Sequence, residues 1–273
     1  MQTELHIQPM QSSASNPILC IVGPTGAGKT HLAMSLAEYA KSIGLTIELI
    51  SMDSALVYRG LDIGSAKPTK AEQAAVTHHL IDILEPTEVY SAARFAKDAK
   101  QLCTEIANRG NIPVIVGGTM LYWRAWAYGL SSLPPANPEI RQRLDDEGKR
   151  IGWPAMHAKL AAIDPETAMR LEPNDSQRVQ RALEVYEITG KAMSTLLAES
   201  PSEDGREGSD IPQWINLVSL EPSDRKQLHQ NLEKRFDQML AAGFLDEVKR
   251  LRKNPDLHED LPAIRSVGYR QAW

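Results

Sequence analysis

The chain has 273 residues, a net charge of −5 at neutral pH, 42% hydrophobic, 24% charged and only 5% aromatic residues. That length can bury a substantial core, as one large domain or one domain carrying an insertion, and the composition is ordinary for a soluble globular protein. No stretch carries a basic excess, so nucleic-acid binding by bulk charge is excluded and any such binding must rest on placed arginines.

Residues 1–17, ending Ser12-Ser13-Ala14-Ser15-Asn16-Pro17, are polar and lack a basic start followed by an apolar stretch. They are expected to be a disordered tail and not a signal peptide. Ile18 to Val22 is a short apolar run ending in glycine, as a buried parallel strand should be. His31 to Tyr39 has Leu32, Leu36 and Ala37 at helical spacing, and Leu45 to Ile50 reads as a second strand. Leu80 to Ile83 reads as a further short strand. Ser91 to Arg109 carries Phe95, Ala99, Leu102 and Ile106 at helical intervals, with Ser91 as N-cap and Arg109-Gly110 as stop. Ile112 to Val116 is another strand, ended by Gly117-Gly118. Strands alternating with helices predict a parallel sheet covered on both faces.

The texture changes after Gly129, where residues 131–138 contain three prolines. Helices are expected at Pro138 to Lys149, Pro154 to Ala162 and Asp175 to Thr189, and a polar loop at Ser200 to Asp210. A strand resumes at Trp214 to Leu220, followed by a long helix with Leu228, Leu232, Phe236 and Leu240 on one stripe. The expected organisation is an α/β core over 18–130 and 206–273, with a helical insertion domain at 131–205. Nothing approaches the length of a membrane span, and a cytoplasmic monomer without membrane partners is expected. Cys20 reads as a buried small hydrophobe. Neither it nor Cys103, the only other cysteine, has a metal-ligand spacing. His78-His79 likewise lacks a partnered ligand spacing.

Gly23-Pro24-Thr25-Gly26-Ala27-Gly28-Lys29-Thr30 fits G-x-x-x-x-G-K-[ST]. The glycines let the backbone curl so that successive N–H groups converge on a diphosphate at a helix N-terminus. Lys29 adds a point charge, and the Thr30 hydroxyl can hold Mg²⁺. A strand before and a helix after supply the context the motif requires. Asp53 follows the second strand, at the carboxyl edge where ligands of open α/β sheets bind. There it could position Mg²⁺ or accept a proton, or it could simply cap a turn; spacing alone leaves these open. Gly117-Gly118-Thr119 repeats the logic at the next strand end, where Thr119 offers a hydroxyl or an N-cap. Trp123 and Trp126, on the helix beyond, read as packing.

Three of these blocks together resemble the tRNA dimethylallyltransferase family: the Gly-Pro-Thr form of the P-loop, Asp53-Ser54 through Tyr58-Arg59-Gly60 to Lys67-Pro68, and Gly117 to Tyr122. Asn174 to Arg178 continuing to Glu184, and Arg265 to Gln271, extend the resemblance over about residues 18–273. It implies a P-loop NTPase-like α/β fold with an all-helical, tRNA-facing insertion. It also implies transfer of a dimethylallyl group from dimethylallyl diphosphate to the exocyclic amine of the adenosine 3′ to the anticodon. Carried over, Gly23, Pro24, Thr25, Gly26, Ala27, Gly28, Lys29 and Thr30 grip the diphosphate, with Mg²⁺ near Thr30 and with Arg225 and Arg235 as further cations. Asp53 is the general base, and Thr119 is a second catalytic residue. Contacts to the tRNA anticodon stem-loop would come from Asp53, Ser54, Ala55, Leu56, Thr119, Arg141, Gln177, Arg178, Val179, Gln180 and Arg181, and from Arg265, Ser266, Val267, Gly268, Tyr269 and Arg270. Arg178 and Arg181, three apart, would share a helix face and straddle phosphates or stack on bases.

Two departures stand out. Leu56 replaces a glutamine that many members carry, and members continue past Arg270 through a basic helical segment whereas this chain stops at Trp273, which implies truncation. Two rival readings use the same residues differently. A small-molecule or nucleotide kinase would hold ATP in the cradle and clamp it with Arg225 and Arg235. A non-catalytic RNA-binding module would need neither Lys29-Thr30 nor Asp53.

Overall fold

The computed structural model describes residues 17–130, 133–199 and 211–273. The expected tail, apart from Pro17, and the expected loop from Ser200 to Asp210 lie outside the described residues. The chain divides into two compact units, one reaching Gly129 and resuming at Ile211, the other between Leu130 and Asp210.

The first unit is built on five parallel strands: β1 (Ile18–Val22), β2 (Ile47–Met52), β3 (His78–His79), β4 (Ile112–Gly117) and β5 (Ile215–Ser219). Their spatial order is β3-β2-β4-β1-β5. Successive side chains along a strand face opposite sides, and the sheet uses both. Ile21, Ile47, Leu49 and Val114 pack against Ala33, Ala37 and Ala40 of α1 (Lys29–Ser42). Cys20, Ile50, Met52 and Ile115 pack on the other face against Phe95, Ala99 and Ile106 of α3 (Ala92–Asn108) and the aromatics of α4 (Met120–Tyr128). Ser91 caps α3, its hydroxyl accepting from Arg94 N at 3.1 Å, a contact worth about 1 kcal/mol. Trp126 is 7% exposed and meets Trp214 edge-on at 4.8 Å, so this indole is packing. Cys20 and Cys103 are buried, and burial pushes both thiols up to about 12.

Glu48 is the one acid in the fully buried β2. It accepts from Arg109 Nη2 at 2.8 Å and Asn111 Nδ2 at 2.7 Å, and its Oε2 lies 2.6 Å from His79 Nε2. Burial raises its pKa, but these partners outweigh it and bring the carboxyl down to about 2.

The strand expected at Leu80 to Ile83 is not formed. Leu80 and Asp82 take positive φ angles of 61° and 54°, which a strand cannot accommodate. The segment instead turns onto the loop after β2, with Asp82 N donating to Leu56 O at 3.1 Å and Ile83 N to Val57 O at 2.9 Å. Lys67, buried, fixes the turn by reaching Tyr58 O at 2.8 Å, Asp62 at 2.7 Å and Asp82.

A second anchor comes from far along the chain. Glu247 of α11 (Phe244–Leu251) is 1% exposed. Its carboxylate accepts from the N–H groups of Asp62, Ile63 and Gly64 at 3.1, 2.9 and 3.2 Å, and from the Tyr269 hydroxyl at 2.5 Å. A buried acid with four donors is held in place.

The long helix expected after β5 is present as α10 (Arg225–Ala241). Its apolar stripe does not enter the core: none of its residues is fully buried, and Phe236 and Leu240 are 47% and 39% exposed. Leu228 and Leu232 face Gly26, where an added Cβ would stand 3.3 and 3.0 Å from their methyl groups. The stripe therefore roofs the P-loop.

The second unit consists of α5 (Pro138–Ile151), α6 (Trp153–Ile163), α7 (Pro165–Met169), α8 (Ser176–Thr189) and α9 (Met193–Glu199) around Leu144, Met156, Leu160, Val179 and Leu183. Its described secondary structure is entirely helical. Asn137 caps α5, its Oδ1 accepting from Glu139 N and Ile140 N at 3.0 and 3.2 Å, with proline at the first helical position. Among the described residues no helix is long and apolar enough to cross a membrane.

Candidate active site

The P-loop runs from the end of β1 into α1. Gly28 precedes α1 with φ 88° and ψ 13°, a left-handed conformation that favours glycine, and no side chain caps the helix. The first N–H groups of α1 are thus presented to an anion. The Lys29 ammonium folds back across the loop, donating to Gly23 O at 2.8 Å and Pro24 O at 2.7 Å. At the neighbouring strand end, Gly117 is required by close approach, because any Cβ there would collide with Met52 O. Gly118 lies so near the cradle that an added Cβ would be 3.6 Å from Lys29 Nζ.

Asp53, one residue past β2, is half-buried. Its Oδ1 accepts from Ala55 N at 2.8 Å and Leu56 N at 3.4 Å, so the turn-capping role is filled by one oxygen. Thr119 precedes α4 without capping it; its hydroxyl accepts from Ser54 N at 3.1 Å, and its N–H donates to Met52 O at 3.3 Å. The two strand-end loops are stitched together, which sets the Thr119 hydroxyl beside the Asp53 turn.

Lys29 and Arg235 both sense the Asp53 carboxylate. Burial lowers the Lys29 pKa, the Asp53 carboxylate partly restores it, and Arg235 lowers it again. Arg235 is likewise lowered by burial and supported by Asp53. Two cations and a helix N-terminus therefore face one carboxylate, an excess of positive potential suited to a polyanion. Beneath them, the Tyr122 hydroxyl donates to Tyr90 O at 3.1 Å, and burial followed by the nearby Tyr58 and Asp53 pushes its pKa up.

The other sequence-derived candidates are distributed unevenly. Arg225 is exposed at the first position of α10, ten residues and about 15 Å of helix away from Arg235. In the second unit Arg141 and Arg181 are tied to a buried acid. Arg141 reaches the fully buried Glu184 through Nε at 3.0 Å and Nη2 at 3.1 Å, while Arg181 reaches Glu184 at 2.6 Å and Pro134 O at 2.6 Å. Gln180 donates to Arg141 O at 3.0 Å. Arg178 and Arg181 differ in disposition: Arg178 is exposed and pairs with Asp175 at 3.1 Å, whereas Arg181 is tied inward to Glu184. Val179 and Tyr269 are 0% exposed, so their side chains have no surface to offer RNA. Gln177, Arg265, Val267 and Arg270 are exposed, and Ser266 and Gly268 are half-buried.

Glu247 and Ser51 went unread in the sequence. Glu247 acts on loop residues 183 to 185 positions earlier, a separation with no local signal. Ser51 lies two residues before Asp53, and that spacing was its only available cue. Among the described residues no group of three or more His, Cys, Asp or Glu is arranged to hold a metal. A hard cation carried with a diphosphate nevertheless fits the oxygen donors present, Thr30 and Asp53, and Ser51 Oγ, buried without a partner among the described residues, lines the same pocket as Thr30.

Comparison with known proteins gives a consistent result. The model of the IPP transferase family matches residues 56–273. The tRNA dimethylallyltransferase of Polynucleobacter asymbioticus is 82% identical over 273 residues, all of this chain and 82% of the relative. The solved full-length tRNA isopentenylpyrophosphate transferase of Bacillus halodurans is 36% identical, covering 94% of this chain and 76% of that one, with a TM-score of 0.58. A eukaryotic dimethylallyltransferase captured acting on tRNA is 29% identical, covering 88% of this chain and 56% of that one, with a TM-score of 0.66.

Proposed function

The chain belongs to the IPP transferase family, and from that premise we propose that it transfers a dimethylallyl group from dimethylallyl diphosphate to the exocyclic amine of the adenosine 3′-adjacent to the anticodon of tRNA. The observation that carries this reading is the grouping of Lys29, Arg235 and the α1 N-terminus around Asp53 at the carboxyl edge of the sheet.

The adenine nitrogen attacks the first carbon of the allyl group. The bond from that carbon to the diphosphate oxygen breaks, the diphosphate keeps the electron pair, and the amine proton passes to Asp53. An adenine amine is a weak nucleophile, so most of the catalytic burden lies on the leaving group. Lys29, Arg235 and the P-loop N–H groups meet the negative charge that grows there. The backbone bonds of Asp53 to its own turn fix the carboxylate without neutralising it. Thr119 orients the neighbouring loop. Leu228 and Leu232 offer an apolar roof beside the cradle for the prenyl tail. Thr30 would hold Mg²⁺, which when bound supplies further charge neutralisation of the diphosphate. The target base must leave its stack to reach so recessed a site. Ser54, Gln177, Arg178, Arg265 and Arg270 are exposed polar residues available to the anticodon stem-loop, and the helical unit would face the tRNA. A monomer working in the cytoplasm completes the reading.

The named relatives favour prenyl transfer over the ATP-dependent kinase. Calorimetric binding of dimethylallyl diphosphate against ATP, both with Mg²⁺, is the decisive test. Preference for the prenyl compound is expected; tight ATP binding with indifference to the prenyl diphosphate would reverse the assignment.

A further inference from the structure

Between α1 and the β2–β4 part of the sheet lies a pocket of about 330 Å³, counting its open mouth, lined by Thr30, Ser51, Leu56, His78, Ile81 and Val116 among others. Two buried polar atoms without a partner among the described residues, Ser51 Oγ and His78 Nε2, belong to this one lining. Ser51 is 7% exposed. Both residues are held by the sheet: Ser51 stands opposite Val116 in the β2–β4 register, and His78 opposite Leu49 in the β2–β3 register. An unmade hydrogen bond in a buried position is costly, and two around a single space call for an occupant.

The donor pattern narrows what that occupant is. His78 Nδ1 lies 2.7 Å from Val76 O. A carbonyl only accepts, so Nδ1 carries the hydrogen, and in the tautomer with that single ring hydrogen Nε2 is an acceptor. Ser51 Oγ can accept as well. The occupant must bring hydrogens, and it must be small, because Leu56, Ile81 and Val116 wall the rest. Water molecules bound to a divalent cation are polarised donors, and Mg²⁺ retains several of them.

We propose that Ser51 and His78 are positioning residues that accept hydrogen bonds from the water shell of a divalent cation held at Thr30. This inference rests on the reading of Thr30 given above. Such outer partners orient the shell, and their loss typically weakens metal binding by about 10- to 100-fold.

The test is Mn²⁺ binding in the presence of inorganic diphosphate, followed by paramagnetic resonance, for the unaltered protein and for Ser51→Ala, His78→Phe and Thr30→Ala. Ser51→Ala and His78→Phe are each expected to weaken Mn²⁺ binding by about tenfold. The thermal midpoint of metal-free Ser51→Ala should hold or rise, because an unpartnered buried hydroxyl has been removed. A merely structural serine would not give those two opposite responses. Unchanged Mn²⁺ affinity in folded Ser51→Ala, with affinity lost in Thr30→Ala, would overturn the outer-shell role and leave Thr30 in place. Affinity indifferent to Thr30→Ala would remove the cation from this position, and the inference with it.

Discussion

Two carboxylates in this molecule each sit between two cations, and they do opposite things. In the helical unit Glu184 is fully buried and closed on itself. Arg141 binds it through two nitrogens, Arg181 through a third, and Asn137 N donates at 2.7 Å. Burial pushes the Glu184 pKa up, but the arginines more than compensate, and the net shift is downward. At the sheet edge Asp53 gives one oxygen to its own turn, while Lys29 turns its ammonium onto loop carbonyls. Asp53 is close enough to raise the pKa of both Lys29 and Arg235 against the lowering by burial, without either cation being spent on it. The first arrangement is a brace and the second is a site. Equal counts of charge do not distinguish them; the disposition of hydrogen-bond partners does.

Substitutions can break the comparison from either side. Asp53→Asn should lower the rate of transfer by about 10²- to 10⁴-fold, the usual weight of a general base, with calorimetric affinity for dimethylallyl diphosphate nearly unchanged. Retention of full turnover would reduce Asp53 to the turn cap it also is. Glu184→Ala leaves two arginines facing a buried gap and should destabilise the helical unit by about 3–5 kcal/mol, read as a fall in denaturation midpoint. Binding of the prenyl diphosphate should survive that change, since Glu184 belongs to the brace. Lys29→Ala removes a charged donor and should weaken diphosphate binding by about 10- to 100-fold. Arg235→Ala should weaken it by about tenfold, whereas Arg225→Ala should have a much smaller effect; equal losses from the two would contradict the geometry of α10.

A smaller effect is expected with pH. Glu48 has an ordinary value of 4.5 and about 2 in the fold, so the folded state binds fewer protons between those values. Its stabilisation is therefore complete above about 4.5 and is lost as pH falls toward about 2. In Glu48→Gln the acid limb of a stability–pH curve should flatten.

Much of this was legible because the signals were local. The run Ile18 to Val22, the helix capped by Ser91 and the P-loop each announce themselves within a few residues, and continuous apolar strands place Asp53 and Gly117 at the same sheet edge. The two-residue strand His78–His79 was not legible, since the apolar run after it is bent by positive φ angles that only its neighbours explain. The stripe of α10 was seen, but periodicity says only that a face is apolar, and here it covers the P-loop rather than the core. The tie of Arg141 and Arg181 to Glu184 is not legible for a related reason. An arginine meant for phosphate and one meant for a buried glutamate look alike until the partner is located.

The Glu247 carboxylate, gathering the N–H groups of residues 62–64 together with the Tyr269 hydroxyl, also constrains the order of assembly. The segment that leads out of the Asp53 turn finds this anchor up to 185 residues later. During synthesis it must wait, unanchored, while the second unit is made and emerges. Local helices can form early, but closure of so long a loop comes late. Competence at the sheet edge is therefore expected among the last properties a newly made chain acquires, and an interrupted chain lacking residues 244–269 should retain secondary structure without a fixed Asp62–Gly64 loop.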